Sequence, residues 1–288
     1  MLLSGKKVIL TGGSLGLGKA IAEELLKQGA DLMICSRNQK ELVEAQQDLT
    51  SRCISTDQKV RSFPCDVSKR DEVAALFSNT LEAFEGLDVL VNNAGIYGPK
   101  GPSESVDIAA WIQTLEINLL GTLYTCQHAL PIFKKQKSGK IINLSGGGAT
   151  APLPNLSAYA ASKAAVVRLT ETLAEEVRSF GIDINAFAPG ALNTRLLDEV
   201  LAAGPEKVGE EFYQKMLKQQ ENGGAPLEKG ALLCAYLASS RSDGVTGKLI
   251  SALWDGWQDF DQHLAEIGRS DIFTLRRIIP KDRGMDWE

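Results

Sequence analysis

The sequence predicts an α/β protein: a doubly wound parallel sheet of about seven strands with helices on both faces, followed by a C-terminal extension. Three observations predict it. Short apolar runs alternate with longer amphipathic stretches along most of the 288 residues, which is the β-α repeat of a parallel sheet. The first apolar run passes straight into a glycine-rich turn and then an amphipathic stretch. No internal repeat, linker or low-complexity segment interrupts the order, so residues 1–288 are expected to form a single domain.

Strands are expected at Val8–Leu10, Leu32–Cys35, Val60–Cys65, Val89–Val91, Ile141–Leu144, Ile182–Phe187 and Lys248–Ile250. Helical patterns fill the gaps at Lys19–Gln28, Gln39–Thr50, Asp71–Phe84, Ala109–Phe133, Ala158–Phe180 and Leu227–Ala238. The longest excursion between strand-like segments is 193–225, with Gly204-Pro205, a helical stretch over Glu206–Gln220 and Asn222-Gly223-Gly224; its length suggests a substrate lid.

A net charge of −5, from 31 basic and 36 acidic residues, gives no broad reason to bind nucleic acid or an anionic membrane. The start of the chain is too poor in apolar residues for a signal peptide and no stretch approaches membrane-spanning length, so a cytoplasmic location is expected. Cys35, Cys53, Cys65, Cys126 and Cys234 are scattered and odd in number, which argues for free thiols over a disulfide framework. Cys126 and His128 fall within one helical pattern without further ligands, and no metal is assigned.

Two features carry chemistry. In the run Ser157–Lys163, Tyr159 and Lys163 stand four residues apart and so share a helix face. An ammonium beside a phenol favours phenolate, which lowers the tyrosine pKa from about 10 towards useful acid/base chemistry. The turn Thr11-Gly12-Gly13-Ser14-Leu15-Gly16-Leu17-Gly18 lies between a strand and a helix, where missing side chains and free helix amides can cradle pyrophosphate.

With this G-x-x-x-G-x-G spacing after Thr11, the chain resembles the short-chain dehydrogenase/reductase family over roughly residues 5–250. Further motifs follow in order: Cys65-Asp66-Val67, Asn92-Asn93-Ala94-Gly95, Asn118, Ile141–Ser145, the Tyr159/Lys163 pair, and Pro189-Gly190-Ala191-Leu192-Asn193-Thr194. The resemblance implies a Rossmann-like fold and a nicotinamide site. Gly12, Ser14, Leu15, Gly16, Leu17 and Gly18 would hold the phosphates, with Asp66 and Val67 at the adenine and Asn93, Ala94 and Gly95 along the dinucleotide. Pro189, Gly190, Leu192 and Thr194 would hold the carboxamide, and Tyr159 and Lys163 the ribose.

It also implies hydride transfer on a small alcohol/carbonyl substrate, with Tyr159 exchanging the oxygen's proton, Lys163 tuning it and Asn118 holding a water beside Lys163. A homodimer or homotetramer through Asn118–Phe133 and Ala158–Phe180 is expected on the same ground. At the end of the second strand Ser36 stands where an acid would select NAD(H), and Arg37 follows, which favours NADP(H).

The sequence departs from the family in two places. The family's serine usually lies thirteen positions before the tyrosine, where this chain has Gly146; Ser145 precedes it and is taken as the catalytic serine. That departure motivates an alternative, a catalytically impaired nucleotide-binding regulatory or scaffold protein. The chain also continues past Trp254 and Trp257 as a tail over about 254–288, containing an amphipathic stretch Phe260–Ile267 and the basic pair Arg276 and Arg277. The tail is expected to dock, over its own site, on a neighbouring subunit or simply on the domain surface.

Overall fold

The computed structural model describes residues 1–287. Seven strands form: β1 Lys7–Thr11, β2 Asp31–Ser36, β3 Val60–Pro64, β4 Val89–Asn92, β5 Gly139–Leu144, β6 Ile182–Ala188 and β7 Leu249–Ser251. They make one parallel sheet in the order β3-β2-β1-β4-β5-β6-β7. Ile9 pairs with Met33 on one side and Leu90 on the other, so the strand centre is apolar on every side. The chain advances in one direction from β1 to β3 and in the other from β4 to β7. The crevice at their junction, beyond the carboxyl ends of β1 and β4, is where such sheets bind ligands.

The helices preceding the site are α1 Gly16–Lys27, α2 Gln39–Ser51, α3 Arg70–Phe84, α4 Ile108–Leu115, α5 Gly121–Gln136 and α6 Ser157–Val177. Then follow α7 Arg195–Ala203, α8 Pro205–Val208, α9 Glu210–Glu221, α10 Leu227–Ala238 and α11 Leu264–Arg269. Each sheet face carries its own core. Ile21, Leu25 and Leu42 join Leu233 and Leu237 on one face. Val73, Phe77, Phe133 and Val177 pack on the other.

The helix expected over Ala109–Phe133 keeps helical geometry but is not uniform: a π-helical turn, Glu116–Leu120, separates α4 from α5. Single π turns widen a helix locally, and this one contains Asn118. The helix expected over Ala158–Phe180 starts one residue earlier and tightens into a 3-10 turn at Arg178–Phe180 before Gly181 turns with φ of 66°. In 193–225 the helical stretch expected over Glu206–Gln220 is split into α8 and α9 at Gly209 (φ 86°), and an unexpected helix, α7, precedes it and ends at Gly204 (φ 79°); both glycines adopt backbone that other residues disfavour. Leu197, Val200, Val208 and Met216 bury themselves together, giving this segment its own small core.

The tail folds back on its own chain. Phe260 and Ile267 join the core that contains α1 and α10, and Trp257 is buried there with its indole N–H donating to the Ala252 carbonyl at 3.3 Å. Beyond α11 the chain runs beside the open edge of β7, where the Leu249 amide donates to the Phe273 carbonyl at 2.7 Å. Lys248 Nζ donates to the Ser270 and Ile272 carbonyls at 2.6 and 3.1 Å, and the Leu275 amide donates to Glu171 Oε1 at 2.6 Å. An unpaired sheet edge is thereby covered. Arg276 pairs with Asp271 and Asp282 within the tail, at 3.3 and 2.8 Å.

Candidate active site

A cavity of about 1860 Å³ opens at the β1/β4 junction and reaches across the ends of β5 and β6 to α7 and α9. Its end at the glycine-rich turn is built by backbone. A Cβ on Gly12 would stand 2.9 Å from Asn93 Nδ2, and one on Gly18 would collide with the Gly12 carbonyl, so both positions require glycine. Gly16 turns with φ of 52° and its open face lies against the Thr194 side chain. No side chain caps α1. The amides of α1 are left for an anion, which fits a pyrophosphate.

Thr11 and Asn93 fasten that loop to β4. Thr11 Oγ1 accepts from the amides of Asn93 and Ala94 at 3.0 and 3.1 Å, and Asn93 Nδ2 donates to the carbonyls of Thr11 and Gly12, both at 3.0 Å. The end of the cavity beyond β2 and β3 is lined by Ser36, Arg37, Asp66 and Val67, and also by Asn38, Glu41 and Cys65. Asp66 accepts from the amide and hydroxyl of Ser68, which fixes the turn after β3. Ser14, Leu15, Leu17, Ala94, Gly95, Pro189, Gly190, Leu192 and Thr194 all line the same cavity. Every expected cofactor position except Lys163 therefore lies on it.

Lys163 sits just behind this wall, buried, its Nζ donating to the Leu144 carbonyl at 2.8 Å. Gly95 joins it to Asn118: a Cβ there would meet Asn118 Oδ1 at 3.2 Å and Lys163 Nζ at 3.5 Å. The π turn aims Asn118 inward, where its amide grips the backbone of Ile96 at both ends. Oδ1 accepts from the Ile96 amide, and Nδ2 donates to the Ile96 carbonyl and to Ser162 Oγ, each at 2.9 Å. Ser162 in turn donates to the Tyr159 carbonyl at 2.7 Å. Asn118, Lys163 and Tyr159 are thus locked into one frame.

The titration of Tyr159 in that frame shifts opposite to the sequence expectation. Burial pushes the Lys163 ammonium down to about 8. Burial, and then Tyr97, push the Tyr159 hydroxyl up from its ordinary value, where the pair alone implied a lowering. The reason is geometric. Lys163 Nζ turns to a carbonyl and stands 5.7 Å from the Tyr159 ring centre, while the Tyr97 ring packs edge-on against Tyr159 with centres 4.5 Å apart. Desolvation outweighs the ammonium.

Gly146, in extended backbone, faces the Tyr159 hydroxyl, and a Cβ built on it would collide with Oη. Ser145 also lines the cavity; its Oγ is buried and has no hydrogen-bond partner. Gly148 packs against the Ala160 backbone, its Cβ position 2.9 Å from Ala160 Cα, so the glycine run lies close on α6.

Beyond Tyr159 the cavity is walled by Tyr97, Leu153, Leu197, Phe212, Met216 and Leu253, with Trp254 at its rim. Tyr97 belongs both to the Tyr159 contact and to the core of the 193–225 segment. Of these only Trp254 stood out in the sequence. A Tyr one position after Asn-Ala-Gly-Ile carries no periodic signal, and long-range packing alone brings it to the site. Phe273 and Thr274 of the tail also line the cavity, whereas Trp257, Arg276 and Arg277 do not. His128 packs on Phe77 with ring centres 5.3 Å apart, and among the described residues no group of His, Cys, Asp and Glu could hold a metal ion.

The family model described as short chain dehydrogenase matches residues 6–203. A 3β-hydroxysteroid dehydrogenase 1 of Eggerthella lenta is 38% identical over 247 residues, covering 85% of this chain and 91% of that one. An L-fucose dehydrogenase of Oryctolagus cuniculus is 34% identical over 240 residues, covering 83% and 81%. Among solved structures, a levodione reductase superposes with a TM-score of 0.79 at 32% identity, covering 89% of this chain and 98% of that one.

Proposed function

The chain belongs to the short-chain dehydrogenase/reductase family, and on that premise we propose that it is an oxidoreductase moving a hydride between NADP(H) and an alcohol/carbonyl substrate. One observation carries the reading: the Tyr159 hydroxyl, framed by Lys163 and Asn118, stands in the same cavity as the glycine cradle of α1. The nicotinamide, when bound, supplies or accepts the hydride. Tyr159 holds the proton at the substrate oxygen, giving it up in carbonyl reduction and taking it back in alcohol oxidation. Lys163 and Asn118 hold the frame against the Leu144 and Ile96 backbone. Ser145 Oγ, buried without a partner, is the candidate second donor to the substrate oxygen.

The preference for NADP(H) rests on Ser36 and Arg37 at the end of β2, where a guanidinium can pair with a 2′-phosphate. Glu41, on the same wall, is the acid that could compete with it. Segment 193–225 acts as a lid on this reading, within a single catalytic domain. Five free thiols suit a reducing, cytoplasmic compartment, and the exposed Ile108 and Ile112 on α4 suit assembly of a homodimer or homotetramer. The impaired-scaffold alternative is not favoured, since curated relatives across most of the chain are dehydrogenases.

Tyr159→Phe tests the reading. NADPH oxidation with carbonyl substrates should fall by at least a hundredfold while NADPH affinity, followed by its fluorescence, stays within a few-fold. Unchanged turnover would remove Tyr159 from proton transfer.

A further inference from the structure

Resting on the hydride transfer proposed above, we infer that the substrate is an uncharged, largely apolar ring compound: a ketone or secondary alcohol on a fused alicyclic skeleton, held between Tyr97 and Trp254. The cavity of about 1860 Å³ exceeds the roughly 300–1,000 Å³ common for a single ligand, so it has room for a bulky molecule beside a dinucleotide.

The wall beyond Tyr159 is apolar, and several of the polar side chains near it are paired within the protein. Arg195 lies 3.7 Å from Glu199, Asp255 accepts from the Ser251 amide at 2.7 Å, and Gln219 donates to the Leu192 carbonyl at 3.2 Å. A polyol would lose water from every hydroxyl set against that apolar wall and gain no partner from Leu153, Leu197, Phe212, Met216 or Leu253. A ring skeleton loses nothing of that kind, and it stacks on aromatic faces.

Trp254 supplies the second, independent observation. It is the most exposed large hydrophobic side chain among the described residues, at 85%, and it stands at the cavity rim. Its backbone is nonetheless held: the amides of Leu253 and Trp254 both donate to Ser251 Oγ, at 3.3 and 3.2 Å, and Asp255 closes the same turn. A fixed turn presenting an indole to water is a preorganised platform for a flat apolar ligand. Tyr97 lines the same cavity edge-on against Tyr159, so a skeleton reaching from Trp254 to Tyr97 would bring one ring carbon to the phenol. Lys215, exposed on α9 and lining the cavity, is the cation that a charged substrate would seek instead.

The experiment compares kcat/KM, with NADPH, for 2-decalone, cyclohexanone, an open-chain ketopentose and a carboxylated decalone. The fused ring should exceed cyclohexanone at least tenfold and the ketopentose at least a hundredfold. In Trp254→Ala the decalone-to-cyclohexanone ratio should drop to within threefold, with NADPH affinity retained. Calorimetric binding of 2-decalol to the NADP-loaded protein should weaken in step. Preference for the ketopentose, a ratio that survives Trp254→Ala, or a carboxylate better than its neutral parent overturns the substrate class while leaving hydride transfer standing. If NADPH binds but no carbonyl of the panel consumes it, the hydride-transfer reading fails and this inference falls with it.

Discussion

Gly146 and Tyr159 share one small volume: the hydroxyl of Tyr159 occupies the space into which any side chain at 146 would project. Where the family resemblance leads one to expect a serine, this chain has room only for hydrogen. The glycine is therefore a condition for where the phenol stands.

Gly146→Ser, the substitution that restores the family's residue, should lower kcat rather than raise it. The added Cβ must push Oη off its position, and displacements near 1 Å cost on the order of a hundredfold when reacting atoms are preoriented. Steady-state NADPH oxidation measures it; a gain in kcat would show that Tyr159 has space to move.

Arg37→Ala should raise the dissociation constant for NADPH roughly 10–100-fold, the value of about 1.5–3 kcal/mol for hydrogen bonds to a charged group. NADH affinity should change by less than about threefold on the same reasoning. Fluorescence titration with both nucleotides decides it, and equal losses would take Arg37 out of phosphate recognition. Glu41→Gln in the same titration should favour NADPH, because a carboxylate leaves the 2′ end of the cavity.

Lys163→Met should inactivate the protein and also stabilise it near neutral pH. Lys163 is depressed to about 8 by burial, so below that pH the fold must hold a charge that the unfolded chain exposes freely. Between pH 8 and about 10.5 the unfolded state binds the extra proton, and the wild-type fold gains stability as pH rises. At about 1.36 kcal/mol per pKa unit the relief is roughly 3 kcal/mol at most. The variant's advantage in urea unfolding should accordingly be largest at pH 7 and shrink by pH 10. An advantage that grows with pH would contradict the sign.

Asn118→Ala removes the partners of both the Ile96 amide and its carbonyl, and of Ser162. Leaving buried backbone groups unpaired costs about 1–3 kcal/mol each, so a drop of several kcal/mol is expected in chemical unfolding. Asn118→Asp should recover part of this, since its oxygen still accepts from Ile96. Stability unchanged in Asn118→Ala would mean that the π turn holds itself.

The strands and most helices were legible because buried parallel strands and amphipathic helices write their periods into local sequence. The exceptions have local causes that periodicity cannot carry. The π turn at 116–120 preserves apolar spacing while rotating Asn118 inward, and Gly204 and Gly209 split the 193–225 segment by backbone angle alone. At the site, the glycine cradle and Arg37 could be read from order and residue type, whereas Tyr97, Leu197, Phe212 and Met216 could not. They come from distant stretches and meet only when the segment folds onto Tyr97, in the loop after β4.

The sequence by itself determined the β-α repeat, the glycine-rich loop and the spacing that puts Tyr159 and Lys163 together as a pair, since each depends on neighbours within a few residues. Tertiary structure alone decided the direction in which each member of that pair shifts: Tyr159 and Lys163 share a helix face, yet burial and the packing of Tyr97 push the phenol up, and burial pushes the amine down. It also decided that Gly146 faces Tyr159 and that the tail seals the β7 edge, because both depend on which surfaces meet across more than ten residues of chain.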